Sequence, residues 1–321
     1  MDQEKNINGH ILAVITIFIW GMTFISTKIL LNVITPVEIL FLRFTIATIL
    51  LFAVFPHRLR VRERRQELYF AAAGLCGVTL YYLLENIALT YTLASNVGVV
   101  ISISPFFTAV FSHLFLRGKR CKLQFFIGFL IALIGIVLIS LNGNSALQLN
   151  PLGDLLAVLA AIVWAAYSVL TKQISKFGYP MIPTTRRIFL YGLVFMLPAL
   201  FLFGFQPEIN RLLEPIYLCN ILFLSVGASA MCFVTWNSAV KKLGAVKTSV
   251  YIYMVPVITV VASVIVLKEK ITGIAGLGIV LTLIGLFLSE NKFSPKNKST
   301  DKEESIDLIP LGTKKEQRIA K

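Results

Sequence analysis

The sequence predicts an all-α polytopic membrane protein, with ten transmembrane helices arranged as two inverted five-helix repeats. Three observations support this prediction: the composition, the number of long apolar segments and an internal duplication. Of the 321 residues, 57% are hydrophobic and 14% are charged, and the mean hydropathy is +0.81. Soluble globular domains carry roughly 25% charged residues. The composition therefore excludes an ordinary soluble domain.

The apolar segments are long enough to cross a bilayer as helices. A hydrocarbon core of about 30 Å requires roughly 20 helical residues. We place ten such segments at 10–31, 36–55, 67–91, 95–116, 122–141, 152–172, 180–203, 216–240, 244–267 and 271–289. Lipid offers no partner to an open backbone, and the alternating pattern of a membrane barrel is absent, so we assign helices.

The duplication is visible in short motifs that return in order. The stretch WGMTFISTK at 20–28 returns as WAAYSVLTK at 164–172, and the same offset relates Arg43 to Arg187. Further on, Tyr82, Asn86 and Pro105 return as Phe233, Asn237 and Pro256. Five spans in each copy invert the second copy relative to the first, which is the recurring architecture of secondary transporters. We expect repeats at 1–141 and 152–289, followed by a disordered cytoplasmic tail at 290–321.

The basic residues set the expected orientation. The chain has a formal net charge of +14, but its Lys and Arg residues fall in short runs between apolar segments. With the N-terminus inside, 25 of the 30 Lys and Arg residues lie on the inner side. This asymmetry predicts a multi-pass protein of the cell membrane with both termini cytoplasmic. It also gives the charge a topological role, so we do not expect nucleic acid as a partner.

No pattern in the sequence indicates catalysis or a cofactor. The four cysteines lack metal-ligand spacing, and three of them lie in apolar segments. The three histidines are far apart, and the chain carries no HExxH, GxSxG or Walker motif. We therefore expect no enzyme activity, no metal and no cofactor.

Charged residues inside the spans are the first functional candidates, because each costs roughly 2.5–3.5 kcal/mol to insert. Glu85 lies about six residues inside the outer end of the third segment. It suits a proton-coupling carboxylate or the counter-ion of a cationic substrate. A structural ion pair with Lys28 or Arg43 is the equal alternative. Arg43 and Arg187 are better suited to satisfying carbonyls or carboxylates between helices, although a carboxylate substrate would also fit them.

Aromatic and polar residues on the repeated helices form the second group of candidates. They are Trp20, Thr23, Tyr82, Asn86, Ser102, Trp164, Tyr167, Trp236, Asn237, Tyr251 and Tyr253. Trp usually anchors at the headgroup level, whereas Trp20 and Trp164 lie near mid-span. A cavity wall explains this position, and helix packing is the alternative for any single ring. The return of Trp in both halves favours a shared site.

Proline and glycine mark two further features. Pro105 and Pro256 interrupt the fourth and ninth segments at equivalent points, which predicts hinges or exposed carbonyls facing a cavity. Glycines spaced seven apart, Gly128 with Gly135 and Gly278 with Gly285, predict close helix packing within the fold or in a homodimer. A monomer and a homodimer both remain open.

Taken together, these motifs resemble the EamA-type branch of the drug/metabolite transporter superfamily. The resemblance covers about residues 11–289. It rests on the Trp-containing first helices, the NxA at 86–88 and 237–239, the central prolines and the LKEK at 267–270. It implies a ten-helix carrier of small organic metabolites, usually an exporter, with a cavity between two bundles. We therefore expect alternating-access export of an amino acid or a similar metabolite, with the lipid bilayer and a proton as partners. The alternative is a membrane sensor or receptor that binds the metabolite without moving it.

Overall fold

Every regular element of the computed structural model is helical within the described residues, which are 2–91, 94–116, 123–140, 150–206, 209–267 and 272–290. The first half contains α1 (Asp2–Leu30), α2 (Pro36–Val54), α3 (Arg64–Tyr91), α4 (Ala94–Ile101), α5 (Ser104–Leu116) and α6 (Leu123–Ser140). The second half contains α7 (Pro151–Ser175), α8 (Met181–Phe203), α9 (Pro215–Leu243), α10 (Ala245–Ser249), α11 (Met254–Leu267) and α12 (Gly273–Glu290). The predicted tail beyond Glu290 lies outside the described residues.

Six helices, α1, α2, α3, α7, α8 and α9, are long and apolar enough to cross a membrane within the described part of the chain. Shorter apolar helices occupy the remaining predicted segments. Large apolar side chains face outward along these helices; Phe201 and Leu202, for example, are 87% and 82% exposed. Water would not tolerate so extensive an apolar surface, whereas lipid does. The chain is a multi-pass membrane protein.

The fourth and ninth segments are not continuous helices, which is where the structure departs from the prediction. A turn after Ile101 separates α4 from α5, and Pro105 is the second residue of α5. A 3₁₀ turn, Val250–Tyr253, separates α10 from α11, and Pro256 follows it closely. Proline lacks an N–H and clashes with the preceding turn, so the backbone upstream of each ring leaves the α-helical path.

The third helix of each half carries a π-helical turn at the equivalent place. In α3 this turn is Leu75–Leu80, and in α9 it is Phe223–Met231. Both turns contain small residues, and a Cβ on Gly77 would overlap the ring of Tyr167 in α7. Such turns occur frequently at functional sites.

The two halves pack crosswise. Helix α1 packs on the last part of α9, and α7 packs on the last part of α3. In the same way, α2 packs on the π-helical turn of α9, and α8 packs on the π-helical turn of α3. Each half therefore supplies the packing partner for the equivalent helix of the other half.

The predicted glycine spacing serves contact within the chain, between α6 and α12. A Cβ on Gly135 would lie 2.6 Å from the carbonyl oxygen of Gly278, and one on Gly128 would lie 2.7 Å from that of Gly285. Backbone atoms cannot give way as a flexible side chain can, so glycine is required at these positions for the two helices to approach this closely. These glycines join the two halves of one molecule.

Helix ends follow recognisable local signals. Thr35 and Glu38 form a capping box before α2, in which Thr35 N–H donates to Glu38 Oε2 at 2.8 Å. Asn150 caps α7 by accepting from the N–H groups of Leu152 and Gly153. These caps fix where the helices that build the centre of the protein begin.

Candidate functional site

A small, partly open cavity lies where the two halves meet. Its volume is about 40 Å³. Its aromatic and polar walls are Trp20, Thr23, Tyr81, Tyr82, Glu85 and Trp164, and its apolar walls are Phe24, Ile101, Ile252 and Val255. Helices α1, α3 and α4 of the first half face α7, the 3₁₀ turn and α11 of the second half across this space. It is therefore built by both repeats.

Three tryptophans and Phe233 form the packed wall behind the cavity. The ring centroids of Trp20 and Trp164 lie 5.2 Å apart, and those of Trp20 and Trp236 lie 5.0 Å apart. Trp20 Nε1 donates to the carbonyl oxygen of Ala228 at 2.9 Å, which anchors α1 to the π-helical turn of α9. The sequence placed all three tryptophans at the site; Trp20 and Trp164 line the cavity, whereas Trp236 packs fully buried outside its walls.

Trp164 presents an unused donor at this site. It is 3% exposed, and its Nε1 has no hydrogen-bond partner in the described part of the chain. A buried N–H without an acceptor costs roughly 1–3 kcal/mol. An acceptor on a bound molecule would remove that cost.

Glu85 is the single charged residue among the lining side chains. It is 6% exposed, and its Oε2 has no hydrogen-bond partner in the described residues. Neither Arg43 nor Lys28 forms an ion pair with it within 4.0 Å. The structural ion pair that the sequence left open is thus not formed in this conformation.

The two cations considered as partners of Glu85 make other contacts. Arg43 Nε donates to Ser229 Oγ at 2.9 Å, and its guanidinium carbon lies 4.4 Å from the centroid of the Tyr82 ring. Lys28 is exposed, and its Nζ donates to the carbonyl oxygen of Leu89 at 3.4 Å. Arg43 is therefore held against the Tyr82 ring, and neither Arg43 nor Lys28 is among the residues that line the cavity.

Arg187 belongs to a polar contact between α8 and the start of α3. Its guanidinium pairs with Glu67, with Nε donating to Oε2 at 3.0 Å, and Tyr191 donates its hydroxyl to the same oxygen at 2.8 Å. The neighbouring Arg186 donates to the carbonyl oxygens of Phe55 and His57. Neither arginine lines the cavity, so these two residues join helices at the predicted inner side.

The two repeated asparagines, Asn86 and Asn237, form hydrogen bonds with different kinds of partner. Asn86 donates from Nδ2 to the carbonyl oxygen of Pro36 at 3.2 Å, which ties α3 to the start of α2. Asn237 accepts from the Tyr167 hydroxyl at 2.7 Å and donates to Thr185 Oγ1 at 3.2 Å. Neither asparagine lines the cavity; Tyr167 and Asn237 form a buried support for Trp164, whose ring centroid lies 5.0 Å from that of Tyr167.

Of the remaining candidates, Thr23 lines the cavity, whereas Tyr251, Ser102 and Tyr253 lie outside its walls. Tyr251 contacts His10 Nδ1 through its hydroxyl at 2.5 Å, which joins the 3₁₀ turn to the start of α1. Thr23 donates to the carbonyl oxygen of Trp20 and lines the cavity. Ser102 bonds the backbone of its own helix, and Tyr253 packs 6.4 Å from the ring of Phe129.

Tyr81 is the polar wall residue that sequence reasoning missed; the apolar wall residues Phe24, Ile101, Ile252 and Val255 were not predicted either. The Tyr81 ring lies 4.7 Å from that of Trp164 and 4.8 Å from that of Tyr82. It precedes Glu85 by one helical turn, so the i, i+4 spacing from a buried carboxylate was the available signal. The repeat comparison pointed to Tyr82 instead, because Tyr82 is the position that returns as Phe233.

A second, open depression of about 620 Å³ lies on the predicted outer side. The turn between α1 and α2 and the end of α8 form it, with Asn32, Thr35, Glu38, Thr90 and Gln206 among its polar residues. Glu38 Oε1 accepts from the backbone N–H of Gln206 at 2.9 Å. The depression is therefore bounded by both halves.

Across the described ranges, no group of three or more His, Cys, Asp or Glu side chains is placed to hold a metal ion. Cys76, Cys219 and Cys232 are free thiols.

Many membrane transporters are built from two repeats with the substrate site between them. The sequence matches the EamA-like transporter family over residues 7–141 and 151–290. The chain belongs to this family, which comprises transporters and not enzymes. The resemblance drawn from the Trp, NxA and proline motifs is thereby confirmed.

Relatives of similar length support the same family. The chain is 30% identical over 292 residues to an uncharacterized transporter of Archaeoglobus fulgidus, covering 89% of this chain and 99% of the relative. It is 24% identical to the uncharacterized transporter YyaM of Bacillus subtilis (94% and 100%). It is 26% identical to a probable terminal-alkyne amino-acid exporter of Streptantibioticus cattleyicolor (86% and 91%). A solved crystal structure with a TM-score of 0.69 covers 89% of this chain and 96% of its own chain at 21% identity, which shows the fold alone.

Proposed function

We propose that this chain is a secondary transporter that exports a small organic metabolite across the cytoplasmic membrane by alternating access. The two inverted five-helix repeats, at 1–141 and 152–289, move relative to each other around the central cavity. The crosswise packing of α1 on α9 and of α7 on α3 supports this arrangement, because equivalent helices make equivalent contacts. The tail at 290–321 remains in the cytoplasm in this proposal.

The observation that carries the proposal is the cavity shared by the two halves. At about 40 Å³ it accommodates little more than water, whereas pockets for small ligands typically measure about 300–1,000 Å³. A carrier must separate its halves to admit a substrate, so a contracted cavity between them is the expected form of an occluded state. The depression on the predicted outer side would then be the way to the exterior.

The discontinuous segments supply the bending points. Pro105 and Pro256 lie just after the breaks that separate α4 from α5 and α10 from α11. Both breaks lie next to residues that line the cavity, namely Ile101 and Ile252. We assign to them the hinge role that their equivalent positions suggest.

An amino acid or a similar small metabolite is the proposed cargo. One relative is a probable amino-acid exporter, at 26% identity. Trp20, Tyr82 and Trp164 would contact the cargo directly, and Tyr167 with Asn237 would hold Trp164 in place. The proton is the proposed coupling ion, with Glu85 as its carrier.

Counterflow in liposomes tests the proposal. Purified protein is reconstituted, loaded in turn with unlabelled amino acids, amines or nucleosides, and supplied with trace labelled substrate outside. Saturable accumulation with one pool supports a carrier, and its loss in Trp164→Ala with folded protein retained supports the assigned wall. Saturable binding without any exchange would refute transport and leave the sensor or receptor alternative.

Coupling is tested separately in the same vesicles. Wild-type exchange driven by an imposed pH gradient should lose its response to the gradient in Glu85→Gln. Glu67→Gln is the matched control, because Glu67 lies on the same helix outside the cavity. An unchanged response in Glu85→Gln would remove Glu85 from proton coupling.

A further inference from the structure

We infer that the cavity recognises its cargo by a protonated amine, held between the Glu85 carboxylate and the faces of Trp20, Tyr81 and Tyr82. The inference rests on the proposed transport function and names the chemical group by which that site selects.

The walls of the cavity carry a carboxylic acid and no basic residue. Glu85 is the one carboxylic acid among the ten lining residues, which include no Lys, Arg or His, and one of its oxygens has no partner within the described chain. Burying an unpaired carboxylate is costly, whereas pairing it with a cation offsets much of that cost. A bound ammonium group would provide the missing donor.

The other walls of the cavity are largely aromatic. Five aromatic side chains line the space, and the ring centroids of two of them, Tyr81 and Trp164, lie 4.7 Å apart at a tilt of 46°. Ring faces attract cations and repel anions, and aromatic cages are the usual recognition element for ammonium groups. The aromatic walls and the carboxylate thus favour the same sign of charge.

The walls of the cavity offer no cation to an anionic cargo. A carboxylate or phosphate cargo without an amine would need a cation in the wall, and Arg43 is the nearest arginine to Tyr82. Its guanidinium carbon lies 4.4 Å from the centroid of that ring, its Nε donates to Ser229 Oγ, and Arg43 is not one of the ten residues that line the cavity. An anion in the cavity would therefore meet the Glu85 carboxylate and no lining cation.

The unused Trp164 N–H refines the expected ligand. Because this buried donor lacks an acceptor, the amine that fits best also carries an oxygen acceptor. An amino alcohol and an amino acid both meet this requirement. The inference requires the ammonium group and does not require a carboxylate.

Competition between matched compounds tests this directly on the wild-type protein. Once counterflow has identified a transported compound, its uptake is challenged with analogues that lack only the amine and with analogues that lack only the carboxylate or other oxygen group. We expect loss of the amine to reduce competition by roughly 10- to 100-fold, the range for losing a charge-assisted hydrogen bond. Equal competition by the deaminated analogue would overturn the inference while leaving transport established.

Substitution at Glu85 supplies the second test. Glu85→Gln should remove the preference for the amine over its deaminated analogue, whereas Glu67→Gln should keep it. Glu85→Asp retains the charge on a shorter side chain, so it should keep the preference with weaker binding. Retained preference in Glu85→Gln would refute the assignment. If Glu85→Gln does not fold, the Glu85→Asp result and the wild-type competition decide.

Discussion

Adding one methyl group to Gly135 should separate α6 from α12 and destabilise the protein. The new Cβ would lie 2.5 Å from the backbone nitrogen of Thr282 and 2.6 Å from the carbonyl oxygen of Gly278. Ordinary van der Waals contact begins at 3.4 Å, so the helices must move apart by nearly 1 Å. A radial gap of about 0.5–1 Å forfeits a quarter to a half of each dispersion contact.

The expected loss for Gly135→Ala is about 1–3 kcal/mol of unfolding free energy, the usual cost of overpacking a well-packed interface. Gly276→Ala is the matched control on α12, because a Cβ at Gly276 would meet nothing within 4 Å. It should be neutral or stabilising by up to about 1 kcal/mol, since alanine is the better helix former. The contrast between the two variants isolates the helix contact from the effect of alanine itself.

The assay is unfolding by sodium dodecyl sulfate in mixed micelles, followed by near-ultraviolet circular dichroism on matched protein concentrations. Size-exclusion chromatography of the same samples reports whether the oligomeric state changes with either variant. If the unfolding free energies of Gly135→Ala and Gly276→Ala agree within about 0.5 kcal/mol, the close α6–α12 contact is not the reason for these glycines.

Three further predictions follow from the same structure. Tyr167→Phe should lower the unfolding free energy by about 1–3 kcal/mol, because it leaves the buried Asn237 oxygen without its donor. A double-mutant cycle with Asn237→Leu in the same assay should show coupling between the two residues. Additive losses would contradict the hydrogen bond. Glu67→Gln should lower the unfolding free energy by no more than about 1 kcal/mol, because the side chains of the Arg187–Glu67 pair are about a third exposed. A loss above about 2 kcal/mol would show that the pair is buried in the membrane-embedded protein. Green fluorescent protein fused to the C-terminus should fluoresce in cells, because it folds in the cytoplasm; activity of an alkaline phosphatase fusion instead would reverse the proposed orientation.

The membrane class and the family were within reach of the sequence, because lipid restricts the backbone to helices and the motifs recur in order. The breaks before Pro105 and Pro256 were foreseen as interruptions, but the prediction still drew each segment as one helix. A proline in the sequence shows which backbone hydrogen bond of the helix is lost. It does not show how far the backbone deviates from the helical path. The 3₁₀ turn ahead of Pro256 depends on packing that only the folded chain provides.

The site was foreseen in part. Trp20, Trp164 and Glu85 line the cavity, and each was conspicuous as an unusual residue in mid-span. The partner of Arg43 was not foreseeable, since Ser229 lies 186 positions away in the other half. Asn86 and Asn237 are equivalent in the repeat, yet one bonds a backbone carbonyl and the other a tyrosine, because each meets a different neighbour.

The crosswise packing of the halves has a consequence for how the chain is made. During synthesis, α1 and α2 enter the bilayer well before α9, which provides Ser229 for Arg43 and a carbonyl for Trp20. At 5–20 residues per second, the 186 residues between Arg43 and Ser229 take roughly 10–40 s to translate. Through that interval the buried guanidinium must be shielded by lipid headgroups, water or the insertion machinery. A chain that stops short of α9 would leave the Arg43 guanidinium and the Trp20 N–H without these partners.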